Sequence, residues 1–330
     1  MQRYQNSTGV SLPLAVFLAT DTYDYVEGAV SATTLLKPIR AQVLGSRLPD
    51  EYNVTDIVGI TKSRMGTAIH DAVEKSWTNG NYKIAMAKLG YPQSVIDKIV
   101  VNPEEGVNLE DKTPVYLEQR TLKEFEGKMI SGKFDFVFDG VLRDLKNTST
   151  FSWGKPIEGS DYQLQGSIYR WLRPDIITED YMCIDFMFWD WNQGKADSPD
   201  YPSYPQMEKK IPLLSIEDTE AFIRQRLAEF SRAIALPNEE LPLCTDEELW
   251  RDAPTIKYYK KPESFAEGKR STKNYDTMAE ANLRLAEDGG TGLVVSVPGK
   301  VRRCNYCPAA PICDQRNELI GAGMLTPNDV

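Results

Sequence analysis

The chain carries one histidine, His70, among 330 residues. A single imidazole excludes every site that needs two or more, including the HExxH zinc proteases and triple-histidine zinc centres. No apolar run approaches the roughly 18 residues that a membrane-spanning helix requires. The longest N-terminal apolar patch, Leu12 to Ala19, contains Pro13 and lacks a basic flank. No secretory signal peptide is expected, and a reducing cytoplasm is the expected compartment. Basic residues are also in deficit: 38 Lys and Arg stand against 48 Asp and Glu, a net charge of −10. That balance argues against a protein that coats nucleic acid indiscriminately. It leaves room for a groove of acidic metal ligands beside a local basic rim. Cysteines are few, five in all, and unevenly placed: three fall between Cys304 and Cys313. Such crowding points to a metal site and away from a disulfide framework.

An apolar fraction of 41% is ample for one large or two modest domains. Residues 1–60 read as an irregular lead-in packing on the core, with a short helix opening at Ser31 or Thr33. From Thr61 the spacing of Met65, Ile69, Val73 and Trp77 makes one apolar helical stripe, with His70 four residues after Gly66. Residues 80–100 read as a second helix broken by Gly90 and Pro92. From Val115 the period switches to two. Met129 to Lys146 reads as a hairpin turning at Asp139-Gly140, with Phe134, Phe136 and Phe138 on one face and Asp135 and Val137 on the other. Residues 160–172 read as a helix, 181–191 as an apolar strand, 192–210 as a long loop and 217–236 as a helix. Further on come a strand at Lys257–Lys260, an Ala-rich helix at 276–287 and a strand at Leu293–Val297. The expected divisions are a lead-in (1–60), an α/β core (61–243) and a metal-stapled C-terminal region (244–330) holding a small α+β module at about 255–300.

Chemistry-bearing residues concentrate in four pieces: Gly66 to His70, Glu118, Asp135 with Asp144-Leu145-Lys146, and Gln165 with Tyr169. An isolated Asp-x-Lys carries no information. Here Asp144 and Lys146 share one face of a strand, and Asp135 can reach that face from the partner strand. The order of these residues resembles the RecB-type branch of the PD-(D/E)xK nuclease superfamily. That branch has a GxxxH helix, a glutamate, a GxxD strand, a DxK strand and a QxxxY helix. The matching positions are Gly66/His70, Glu118, Gly132/Asp135, Asp144/Lys146 and Gln165/Tyr169, all in order.

The resemblance implies a restriction-endonuclease-like core, a central mixed sheet flanked by helices. It implies Mg²⁺ or Mn²⁺ held by His70, Asp135, Asp144 and the carbonyl of Leu145, the nitrogen ligand favouring Mn²⁺. Lys146 would position the attacking water and stabilise charge at the phosphate. Glu118 would serve a second metal or orient water, with Glu124 and Glu126 as nearby alternatives. Gln165 and Tyr169 would contact the DNA backbone or support the site.

Cys304, Cys307 and Cys313 form C-x2-C-x5-C and need a fourth ligand. Cys244, in a polar turn where Thr245 can cap the following helix, is the natural partner. Cys183 sits in an apolar strand and reads as a structural thiol. Four cysteines suit a [4Fe–4S] cluster or Zn²⁺. RecB-type relatives of the AddB family and the nucleases of CRISPR adaptation carry this C-terminal spacing on an iron–sulfur cluster. Their remaining cysteine precedes the nuclease motifs, whereas Cys244 comes after them. Between Arg251 and Lys273 the charge reverses locally. Lys260, Lys261, Lys269 and Arg270 make a candidate DNA-backbone surface, with Tyr258, Tyr259 and Phe265 available for stacking.

The expectation is thus a metal-dependent DNA exonuclease acting on ends in replication, recombination or repair. It looks like the stand-alone nucleases of bacteriophages, which would place it in the host cytoplasm. A structure-selective endonuclease and an inactive DNA-binding or scaffold protein are the alternatives. Family habit names a helicase or a single-strand annealing protein as partner, and no membrane.

Overall fold

A computed structural model describes residues 3–20, 26–156 and 159–327. In chain order its elements are β1 (Arg3–Gln5), α1 (Leu12–Ala19), β2 (Val30–Ser31), α2 (Ala32–Leu35), α3 (Ile39–Ser46), β3 (Val54–Asp56), α4 (Thr61–Thr78), α5 (Asn81–Lys88), α6 (Gln93–Ile96) and β4 (Ile99–Val101). Next come β5 (Thr113–Phe125), β6 (Lys128–Phe138), β7 (Val141–Thr148), α7 (Asp161–Leu172), β8 (Tyr181–Phe188), β9 (Gln206–Pro212) and α8 (Ile216–Ala233). The last are β10 (Thr255–Tyr259), α9 (Glu263–Ala266), β11 (Lys273–Tyr275), α10 (Met278–Glu287), β12 (Leu293–Val297) and α11 (Asp314–Gly321). Among the described residues no helix is long and apolar enough to cross a membrane.

Two compact units result: residues 1–37 with 53–228, and residues 38–52 with 229–330. These borders differ from the expected divisions at 60/61 and 243/244. The reason lies in α3, which shares a core with the C-terminal part. Ile39, Val43 and Leu44 pack with Ala233, Leu241 and Ala309. The buried Arg40 guanidinium donates to the Leu241 carbonyl at 2.9 Å, and Arg47 donates to Asn238 and to the carbonyls of Ile234 and Leu236. The lead-in is also less irregular than its sequence suggests, because α1, α2 and α3 all lie in it. Ser31 caps α2 as expected, accepting from the Thr34 N–H at 3.0 Å.

The first unit is an α/β structure whose mixed sheet of seven strands is flanked by helices. Its order is β4-β5-β6-β7-β8-β9, with β2 alongside β6. The pairs β4/β5, β2/β6 and β7/β8 are parallel; β5/β6, β6/β7 and β8/β9 are antiparallel. Asp139 and Gly140, with φ of 51° and 77°, make the tight turn between β6 and β7. Edge strand β9 lies where a loop was expected. Its alternation of Met207 and Ile211 with charged residues is short and comes after a Pro- and Ser-rich stretch. Helix α7 lies close on the sheet because Gly166 permits it: a Cβ there would meet Met182 Sδ at 2.2 Å. The main core joins Ile130, Phe134, Leu142 and Ile184 to Ile168 and Trp171 of α7 and Ile223 of α8.

The second unit contains a three-stranded antiparallel sheet, β11-β10-β12. Helix α10, capped by Thr277, comes directly after β11. Tyr258 and Tyr259 of β10 are buried, and the Tyr258 hydroxyl donates to Asp288 at 2.8 Å. Both are therefore withdrawn from the stacking role expected of them, and of the three aromatics only Phe265 is exposed.

Candidate active site

The hairpin β6–β7 forks where the chemistry lies. Its last ladder pair is Phe136 with Arg143. Beyond it, β7 continues against β8 and β6 against β2. Asp135 sits at the fork, and its carboxylate replaces the missing ladder acceptor: the Leu145 N–H donates to Asp135 Oδ2 at 3.0 Å. Opposite Asp135 on β5, Glu118 has a left-handed backbone with φ of 51°. The alternation of faces breaks at this step. Phe134 and Val137 both enter the main core, while Phe136 and Phe138 pack on a second core around Tyr82 and Val115. The expected common face for Phe134, Phe136 and Phe138 therefore does not hold.

Helix α4 brings His70 over this fork. No residue of α4 is fully buried, and Met65 of the expected stripe is exposed; Trp77 anchors the helix, stacked on Tyr82 with centroids 5.3 Å apart. His70 Nε2 donates to the Leu145 carbonyl at 3.0 Å, and Nδ1 lies 3.4 Å from Asp135 Oδ2 and 3.9 Å from Glu118 Oε1. Ligand atoms of His70, Glu118 and Asp135 all lie within 4.8 Å of one another, the one such group among the described residues. Gly66 packs against nothing, with no atom within 4 Å of where a Cβ would be, and lines an open groove.

That groove, about 770 Å³, brings together Gly66, His70, Glu118, Gly132, Asp135, Leu145, Lys146 and Tyr169. Asp144 lies just beneath, 3% exposed. Its Oδ2 is buried without a well-directed hydrogen bond and has the Lys146 ammonium at 2.6 Å. Tyr169 is buried over Gly132 and accepts from Gln165 Nε2 at 2.8 Å. Gly132 is required for this, since a Cβ would come within 2.9 Å of the Tyr169 ring. Four groove cations are additional to those picked out in the sequence: Lys62, Arg64, Arg120 and Lys133. Period two was a usable signal for two of them, because Arg120 and Lys133 are cross-strand partners two residues from Glu118 and Asp135. Lys133 pairs with Glu118 Oε2 at 2.8 Å.

The electrostatics reflect this crowding. Hydrogen bonds to Asp135 and Glu118 outweigh burial and push His70 up to about 10, so the ring is an imidazolium at neutral pH. Burial alone would raise Asp135, but the His70 contact and the charges of His70 and Lys146 hold its carboxyl below the usual range. Burial pushes Asp144 up to about 6 despite the Lys146 charge. Lys146, although buried, is held charged by Asp144 and Asp135. The set of one nitrogen and several carboxylate oxygens fits a hard divalent cation.

In the second unit Cys244 is clamped to the C-terminal segment. Its N–H donates to Gln315 Oε1 and its carbonyl accepts from Gln315 Nε2, each at 2.9 Å. Gln315 lies just beyond Cys313, the N-cap residue of α11. Thr245 and Glu248 bond to each other reciprocally in the manner of a capping box, but residues 246–250 form turns and not the helix expected there. Burial first, then the nearby Glu248 and the other three thiols, push Cys244 up to about 12; burial likewise raises Cys304 and Cys307. All four thiols are free, and Cys183 is buried in β8, as expected of a structural thiol. The four sulfurs do not meet the 4.8 Å closeness of the histidine cluster. Lys260, Lys261, Lys269 and Arg270 are exposed, with Lys269 2.6 Å from Glu267 and Lys260 4.0 Å from Asp288.

No family model and no curated protein matches the sequence. Among solved structures the chain is similar to SSO0001, at 15% identity over 62% of this chain and 78% of that one, with a TM-score of 0.37. A likeness of that size carries no argument about fold or function.

Proposed function

We propose that the chain is a metal-dependent deoxyribonuclease of the RecB-type PD-(D/E)xK class, with a restriction-endonuclease-like core, acting as an exonuclease on DNA ends. The observation that carries this reading is the meeting of His70, Glu118, Asp135, Leu145 and Lys146 in one open groove. They come from widely separated stretches of the sequence, in the order the motif prescribes. Mg²⁺ or Mn²⁺ held by His70, Asp135, Asp144 and the Leu145 carbonyl, with Glu118 adjoining, would supply Lewis acidity at the scissile phosphate. Lys146, charged and pinned by Asp144, donates to the attacking water or a phosphate oxygen as negative charge develops. Arg120, Lys133 and Lys62 offer cations to the DNA backbone along the groove. Tyr169, held by Gln165, shapes the groove wall. In the second unit Cys244, Cys304, Cys307 and Cys313 would hold a [4Fe–4S] cluster, or Zn²⁺ in its place, and the exposed Lys260, Lys261, Lys269 and Arg270 would add DNA affinity.

The test is digestion of end-labelled linear and covalently closed circular DNA with Mn²⁺ or Mg²⁺, with Lys146→Ala as control. An exonuclease degrades only the linear substrate and the variant neither. Nicked circles would point to a structure-selective endonuclease. Wild type leaving both substrates intact, yet retaining them in a binding assay, would leave a DNA-binding or scaffold protein.

A further inference from the structure

Two exposed aromatic residues stand on neighbouring segments where β7 and β8 end. Trp189, the residue after β8, is 48% exposed, and Phe151, in the turn after β7, is 69% exposed. The two segments are tied to each other. The Trp189 N–H donates to the Thr148 carbonyl at 3.1 Å, and the Thr150 N–H donates to Asp190 Oδ1 at 2.7 Å. Each ring has a lysine over it. Lys62 Nζ is 4.4 Å from the Trp189 centroid, and Lys155 Nζ is 5.4 Å from that of Phe151.

The neighbours of this pair fix its place. Lys62 stands in the first turn of α4 and lines the groove, so Trp189 is at the groove's rim. Asn147, one residue before Thr148, lines the groove as well. A lone exposed aromatic on a protein surface is ordinary. This pair differs in combining two rings, a cation over each, and continuity through Lys62 with the groove. Single-stranded nucleic acid is bound by that combination: bases stack on rings while lysines track the backbone, whatever the sequence. A duplex keeps its bases stacked on one another and offers the rings nothing comparable.

We propose that Trp189, with Phe151 beside it, is a stacking platform for the unpaired bases of single-stranded DNA at one end of the groove. The proposal rests on the nuclease reading for its purpose but not for its test. Lys62 and Lys155 hold the phosphates that flank the stacked bases, and the tie between Thr150 and Asp190 keeps the two rings in register.

The experiment measures binding of a fluorescein-labelled single-stranded oligonucleotide, and of the same sequence as a blunt duplex, by anisotropy in EDTA. The proteins are wild type, Trp189→Ala, Trp189→Phe and Phe151→Ala, each checked for an unchanged melting temperature. Trp189→Ala should weaken single-strand binding about ten-fold, Phe151→Ala less, while Trp189→Phe stays near wild type and duplex binding moves little in all three. Equal single-strand binding by wild type and Trp189→Ala overturns the platform, as does failure of the wild type to bind single strands. Should Trp189→Ala not fold, Phe151→Ala against Trp189→Phe decides in the same way. Trp189-dependent binding by a wild type that cleaves no DNA leaves the platform standing and removes the nuclease reading. Cleavage by a wild type whose binding ignores Trp189 does the reverse.

Discussion

Glu118 holds a backbone conformation that side chains with a Cβ seldom adopt, φ of 51°, within a long strand. Such a residue carries strain of about 1 kcal/mol or more, and strain of this kind collects at functional sites. Glu118→Gly should therefore melt higher than Glu118→Ala, by a difference of about 1 kcal/mol in denaturant titration. Both variants should lose metal-dependent cleavage alike. His70 and Asp144 supply a pH dependence. His70 is raised from its ordinary 6.5 to about 10, so the stability it gives the metal-free protein is complete below about pH 6.5 and is lost as pH rises through about 10. Asp144 is raised by burial from 3.8 to about 6, so its ionisation costs stability as pH rises through that range. If His70 and Asp144 hold the proposed metal, the proton competes with it in both groups. Metal binding should tighten with rising pH, and at pH 7 it should release about one proton, mainly from His70. Titration calorimetry in buffers of different ionisation enthalpy reads this directly; a heat independent of buffer would speak against His70 as a ligand. Lys146→Ala should lower cleavage by about two orders of magnitude or more.

At the level of elements, Gly132 lets α7 lie against β6. A Cβ there would fall 2.4 Å from Leu172 Cδ1 and 2.9 Å from Tyr169 Cδ1. Gly132→Ala should cost about 1–3 kcal/mol of stability and push Tyr169 toward the groove, which thermal melting and cleavage assays together would register. The hairpin and its Asp139-Gly140 turn were legible because strict alternation and a positive-φ pair are local signals. So were α4, α7 and α8, whose apolar positions recur at helical spacing. The break of faces at Glu118 and Asp135 was not legible, since it arises from two strands distorting together around the site. Strand β9 escaped for a different reason: an edge strand needs only one apolar face, and Met207 and Ile211 are too few to announce it. Lys133 and Arg120 lay within reach of the period-two argument. Lys62 and Arg64 did not, because helical spacing alone does not say which side of α4 faces the groove.

At the scale of the whole molecule, the chemistry-bearing residues fall in two units, a carboxylate–histidine groove in the first and four cysteines in the second. The assignment of α3 to the second unit was hidden from the sequence because Arg40 and Leu241 are 201 residues apart. If the cysteines hold a metal, Cys304→Ser should lower the melting of the second unit and leave that of the first in place, giving two separated transitions in calorimetry. Iron or zinc content of anaerobically purified protein would fall with it. Metal-dependent cleavage is read in one comparison: release of label from a linear duplex by the wild type in Mn²⁺, by the wild type in excess EDTA, and by Asp135→Asn in Mn²⁺. Release confined to the first is the expected result. Intact DNA in all three, or equal release in all three, would contradict a metal-dependent nuclease centred on His70, Asp135 and Lys146.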